Sequence, residues 1–148
     1  MTLAFDSNIF IYALNAHPEF GFDSLHLLKA VESGAISGVA SELVYLEVLS
    51  GKKMDKTQVA NSQQLLDRAG VTFIALNRGL LLAAAALRRE SKVTTPDAIH
   101  LVSARTTPYD YFVTNDVKLI DIVAPEFKIL GLKDAVKVLG LAARAEYL

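Results

Sequence analysis

TLAFDSNIFIYALN, residues 2–15, sets a short apolar run directly before an apolar helix, with only Asp6 between them. A run of four such residues, TLAF, suits a strand buried on both faces, and the helix that follows spans about Ser7 to Asn15. The same alternation recurs along the chain. AISGVA (35–40) reads as a second strand, followed by a helix capped by Ser41 and ending near Gly51. VTFIAL (71–76) is a third strand, and Asn77 starts a helix that runs to about Ser91. YFVT (111–114) is a fourth, with a helical turn from Asp116, and FKIL (127–130) is a fifth, with helix again from Lys133. Between these lie helices over Asp23–Ser33 and 55–69, stopped by Gly34 and Gly70, and one opening within TTPDAIHLVSA (94–104). Strands that alternate with helices predict an α/β fold: a three-layer α/β/α sandwich around a mainly parallel sheet. Ligands of such sheets bind at the carboxyl ends of the strands.

Composition agrees with one globular domain over residues 1–148. Hydrophobic residues make up 52% of the chain and charged residues 21%. The richest apolar run, Gly79 to Leu87, is too short to span a bilayer and is closed by Arg88 and Arg89. No basic leader precedes Asp6, and no membrane partner is expected. The chain has no cysteine, which excludes disulfides, thiolate metal sites and a cysteine nucleophile, and a cytoplasmic location is the simplest expectation. With a formal net charge of −1, any nucleic-acid partner must be held by local basic groups.

The acids fall where the fold places ligands. Asp6 follows the first strand, and Asp116 lies two residues after the fourth. Asp97 stands in the first turn of the helix in TTPDAIHLVSA, with Thr95 as its expected N-cap and Pro96 as its first residue. A helix start alone accounts for Asp97, because an acid there meets the positive end of the helix dipole. Glu42 has the same explanation after Ser41. Glu47 does not, since it interrupts the apolar helix LVYLEVL and faces either solvent or a polar cavity. If Asp6, Glu47, Asp97 and Asp116 converge, they need a counter-ion. Two carboxylates about 4 Å apart repel by roughly 4 kcal/mol at an effective dielectric near 20. An oxygen-only donor set suits Mg²⁺ or Mn²⁺ over Zn²⁺, and such ions favour phosphate chemistry.

AFDSNIFIYAL, SELVYLEVLSG, TTPDAIHLVSA and YFVTNDVKLI resemble, in order, the four motifs of PIN-domain ribonucleases, above all the VapC-type toxins of toxin–antitoxin pairs. The likeness covers about residues 3–131 and leaves 140–148 as a C-terminal extension. It implies a metal-dependent ribonuclease using Mg²⁺ or Mn²⁺, with Asp6, Glu47, Asp97 and Asp116 as the four acids that bind metal and catalyse. It matches Thr114 to a small hydroxyl residue of the fourth motif and Asn8 to a polar position near the acids, both in supporting roles. It further implies an RNA substrate, a homodimer and an antitoxin partner, seated in a groove among the helices near 7–15, 23–33, 41–51 and 55–69. A non-catalytic PIN-fold module that binds RNA or protein is the alternative.

The remaining residues say less. Lys52, Lys53, Lys56, Arg78 and Lys118 are candidate guides for an RNA backbone, or ordinary surface charges. Tyr12, Tyr45 and Tyr109 could stack on bases, but read as core or interface residues. His100, three residues after Asp97, reads as a residue packed at the core edge. His17 and His26 read as surface residues. A haloacid-dehalogenase phosphatase would need an aspartate where Asn8 stands, and a receiver domain would need one at Asn77.

Overall fold

The computed structural model describes residues 1–146, with side chains through Gly140. In chain order the elements are β1 (Thr2–Phe5), α1 (Ser7–Leu14), α2 (Gly21–Glu32), β2 (Ser37–Ser41), α3 (Leu43–Leu49), α4 (Lys56–Arg68) and β3 (Thr72–Ile74). There follow α5 (Arg78–Glu90), α6 (Thr95–Ala104), β4 (Tyr111–Thr114), α7 (Leu119–Ile122), a 3₁₀ turn (Pro125–Phe127), β5 (Ile129–Gly131) and α8 (Leu132–Glu146). The five strands form one sheet in the order β3-β2-β1-β4-β5, and every pairing is parallel. The α/β expectation holds, and the sheet is wholly rather than mainly parallel.

Strand side chains divide between two cores, as period-two alternation demands. Leu3 and Phe5 of β1, Ala40 of β2 and Val113 of β4 join Ile9, Phe10, Leu27, Val31, Val44 and Leu132 on one face. Ala4, Val39 and Phe112 join Leu80, Ala84, Leu87, Leu101 and Val102 on the other. Helices α1, α2 and α8 therefore cover one face and α5 and α6 the other, which makes the three layers. Gly38 sets the spacing between β2 and α2: a Cβ there would stand 2.9 Å from both Phe5 Cε2 and Val31 Cγ2.

Several boundaries differ from the sequence expectation, each for a local reason. The N-cap of α6 is Thr94, not Thr95: its backbone is extended and its Oγ1 accepts from the Asp97 amide at 3.4 Å, so Thr95 and Pro96 are both helical. Ser41 ends β2 instead of capping α3; the N-cap position is Glu42, while Ser41 Oγ accepts from the Leu43 amide at 3.1 Å. Strand β2 begins at Ser37, because the Ile36 amide is still tied to the Ala30 carbonyl of α2. β5 starts two residues later than FKIL suggests, since Phe127 closes the 3₁₀ turn and Lys128 is left-handed with φ 54°. Helices α2 and α4 stop as predicted, with Gly34 and Gly70 at φ 82° and 76° just beyond them. Helix α8 carries the C-terminal extension as far as Glu146, and residues 147–148 lie outside the described residues.

Candidate active site

Chain order reverses direction across the sheet at β1, whose neighbours are β2 and β4. A parallel sheet opens a crevice at the carboxyl ends of the strands at such a switch point. Asp6 leaves β1 at this point as the N-cap residue of α1, its amide donating to the Val113 carbonyl of β4 at 3.1 Å. Asp6 is 4% exposed, and both its carboxylate oxygens are engaged: Oδ2 accepts from Thr114 Oγ1 at 2.7 Å and Oδ1 from Ser7 Oγ at 3.3 Å. Thr114, fully buried at the end of β4, also accepts from the Asp116 amide at 3.0 Å. One hydroxyl thus fixes the first acid and the turn that carries the fourth. Asp116 is half-buried, and its Oδ1 accepts from the Lys118 amide at 3.3 Å.

Asp97 reaches the same crevice from the N-terminal turn of α6. Burial foremost, then the charge of Asp6, push its carboxyl above the ordinary carboxylate range. Asp116 adds to this rise, while the hydrogen bond with Thr94 and the nearby His100 oppose it. Asp6, Asp97 and Asp116 therefore share one electrostatic neighbourhood. Glu47 comes from α3, on the β2 side, and is bound by the ring of His100: Nε2 lies 2.5 Å from Glu47 Oε1. Asn8 sits half-exposed in the first turn of α1, two residues beyond the N-cap position. The sequence alone reads His100 as a residue packed at the core edge and does not pair it with Glu47; the available signal is two polar residues, each interrupting an apolar helix.

The donor set is hard and oxygen-rich, and the mutual repulsion of three acids is what a dication relieves. The donor chemistry therefore fits Mg²⁺ or Mn²⁺. As the side chains stand, no group of three Asp, Glu or His among the described residues is arranged to hold a metal ion. Asp97, Asp116 and Glu47 are partly exposed, so their carboxylates can turn at fixed backbone positions.

Two cavities bear on the expected partners. One, of about 400 Å³, has Glu47 in its wall together with Lys52, Lys53 and Gln58, over a floor that includes Ile11 and Val48. The other, of about 480 Å³, is a groove between α1, α2 and α4, lined by Phe10, Leu14, Leu25, Leu28 and Leu65. The hydroxyls of the three candidate tyrosines are each bonded within the protein. Tyr12 Oη accepts from Asn115 Nδ2 at 3.2 Å, Tyr45 donates to Asp67 at 2.6 Å, and Tyr109 donates to the Phe127 carbonyl at 2.9 Å. Among the described residues no helix is long and apolar enough to cross a membrane.

The family model described as PIN domain matches residues 3–125 of this chain. Among solved structures, the chain is similar to VapBC2 from Rickettsia felis bound to a DNA fragment from their promoter, with 22% identity and a TM-score of 0.62 over 88% of this chain and 98% of that one. It is also similar to a toxin–antitoxin complex from Klebsiella pneumoniae, with 22% identity and a TM-score of 0.65 over 88% of this chain and 97% of that one. At these identities the likeness shows the fold. A comparison with curated proteins finds no match.

Proposed function

This chain belongs to the PIN-domain family, and from that membership we propose that it is a metal-dependent ribonuclease, the toxin of a toxin–antitoxin pair. The observation that carries the reading is the gathering of three acids at the switch point: Thr114 bonds both Asp6 and the Asp116 amide, and Asp97 lies near enough for burial and the charges of Asp6 and Asp116 to raise its carboxyl. Asp6, Asp97 and Asp116 would hold Mg²⁺ or Mn²⁺, which when bound acidifies water for attack and neutralises charge developing on a phosphoryl oxygen.

The remaining roles belong to the chain's own groups. Thr114 and Ser7 fix the Asp6 carboxylate, so that it does not have to be ordered when substrate arrives. Glu47 would hold a second ion or orient the attacking water. Asn8 stands close to the acids in sequence and supports them. Lys52 and Lys53, on the cavity shared with Glu47, are suited to guide the phosphates of a single strand, and Lys56, Arg78 and Lys118 are exposed bases that would serve the same end.

The groove between α1, α2 and α4 suits an apolar segment of an antitoxin, and the similarity to structures of toxin–antitoxin complexes supports that partner. Most of the expected helices contribute to it; α3 does not line this groove but the cavity beside Glu47. From family likeness we extend this reading to a homodimer in the cytoplasm.

One observation favours a second reading, a PIN-fold module that binds RNA without cleaving it: among the described residues no three acids are arranged as a cage. Incubation of single-stranded RNA with the purified protein separates the two. The nuclease cleaves with Mn²⁺ or Mg²⁺, stops with chelator, and loses at least about 100-fold in rate in Asp6→Asn or Asp97→Asn. Binding of RNA without cleavage in either metal supports the second reading.

A further inference from the structure

His100 is 2% exposed in an otherwise apolar stretch of α6, and a hydrocarbon side chain would fill that space without a polar penalty. Its partner does not need it for solvation, since the Glu47 side chain is 28% exposed and can be served by water. Nor is a buried acid–imidazole pair a general source of stability. The contact therefore calls for a reason other than folding.

The ring is committed to Glu47. Among the described residues Nδ1 is buried without a hydrogen-bond partner, and Nε2 makes the one polar contact of the imidazole. An ionised carboxylate only accepts, which makes Nε2–H the donor and Oε1 the acceptor. That leaves the second oxygen of Glu47 available. Position in the fold adds to this. Glu47 rides on α3, which follows β2, while Asp97 rides on α6, which leads to β4, and β2 and β4 flank β1 on opposite sides. His100 lies one turn beyond Asp97 on the same helix and close enough to act on its charge. The imidazole thus ties the acid from one side of the switch point to the helix that bears the acid from the other.

We propose that His100 is a positioning residue: it holds Glu47 by one oxygen at the acid centre and leaves the other for water or a dication. The inference rests on the nuclease reading above and deepens it.

The test is a double-mutant cycle on the full chain, reading RNA cleavage, Mn²⁺ binding from the electron paramagnetic resonance of the ion, and melting temperature. His100→Leu is expected to lower kcat about 10- to 100-fold, the range for a group that orients a ligand, with KM little changed. His100→Gln, which keeps an N–H near the Nε2 position, regains most of the rate. His100→Asn, whose amide reaches only as far as Nδ1, does not, and it serves in the cycle should His100→Leu fail to fold. In a Glu47→Gln background, removing the imidazole has no further effect on kcat. An unchanged kcat in His100→Leu, or an equal loss with Glu47 already replaced, overturns the inference. Failure of the nuclease reading is distinct: the wild type then neither binds Mn²⁺ nor cleaves. In that event the ¹⁵N resonances of the His100 ring still report the contact, and resonances unmoved by Glu47→Gln overturn the inference on their own.

Discussion

Thr114 bonds to two elements at once, donating to Asp6 and accepting from the amide of Asp116 with no exposure to solvent. Thr114→Val keeps the shape and strips both bonds, leaving a buried carboxylate oxygen and an amide unpaired. A loss of about 1–3 kcal/mol is expected in denaturant melts, with most of it restored in Thr114→Ser. Asp97 behaves in the opposite way. Its folded carboxyl is raised above the unfolded value, so its contribution is fully present below the ordinary carboxylate range and is lost as pH rises through the raised value. In chelator, Asp97→Asn should therefore melt higher than wild type at about pH 7, with the gap closing toward about pH 4. A variant that melts lower than wild type at neutral pH would mean that Asp97 serves the helix start more than the site. Tyr45 gives a third check. Burial, then its bond to Asp67, raises the phenol to about 12 from 10.0. Its stabilising effect is present below the ordinary phenol range and fades as pH climbs through the raised value, which Tyr45→Phe should abolish. At this scale Asp6, Asp97 and Asp116 were legible because strand ends and helix starts mark the carboxyl edge of the sheet. The His100–Glu47 contact was not, because it joins residues 53 apart in sequence and no local pattern encodes it.

Helix α2 approaches β2 closely only because position 38 lacks a side chain. Gly38→Ala would press a methyl within 2.9 Å of Phe5 and of Val31, and a β-branched valine cannot turn aside freely. Destabilisation of about 1–3 kcal/mol is expected, measured against wild type by urea unfolding. Gly34 and Gly70 were readable as helix stops, because left-handed backbone after a helix favours glycine. The N-cap of α6 was displaced by one residue because two threonines stand side by side, and only the hydrogen bond from the Asp97 amide distinguishes Thr94 from Thr95. The start of β5 was misplaced for a related reason. FKIL is apolar enough for a strand, but Pro125 fixes a turn that takes Phe127 into the core before pairing begins.

Across the molecule, the alternation of strands and helices made a parallel sheet legible, while strand order was not. Nothing in the five apolar runs says that β1 sits at the centre or that the chain reverses beside it. That order shapes the candidate site, because it brings the end of β1, which leads to Asp6, beside the end of β4, which leads to Asp116. The centre then holds like charges that a dication would compose into one site. Such binding also stabilises the fold: at about 100 times the dissociation constant, an ion adds about 2.7 kcal/mol, seen as a rise in melting temperature that Asp6→Asn should abolish. Cleavage of single-stranded RNA by the purified wild type and Asp6→Asn, each in Mn²⁺ and in chelator, tests the central claim most directly. Cleavage by the wild type in Mn²⁺ alone is the predicted result; equal cleavage by Asp6→Asn, or cleavage that persists in chelator, would contradict it.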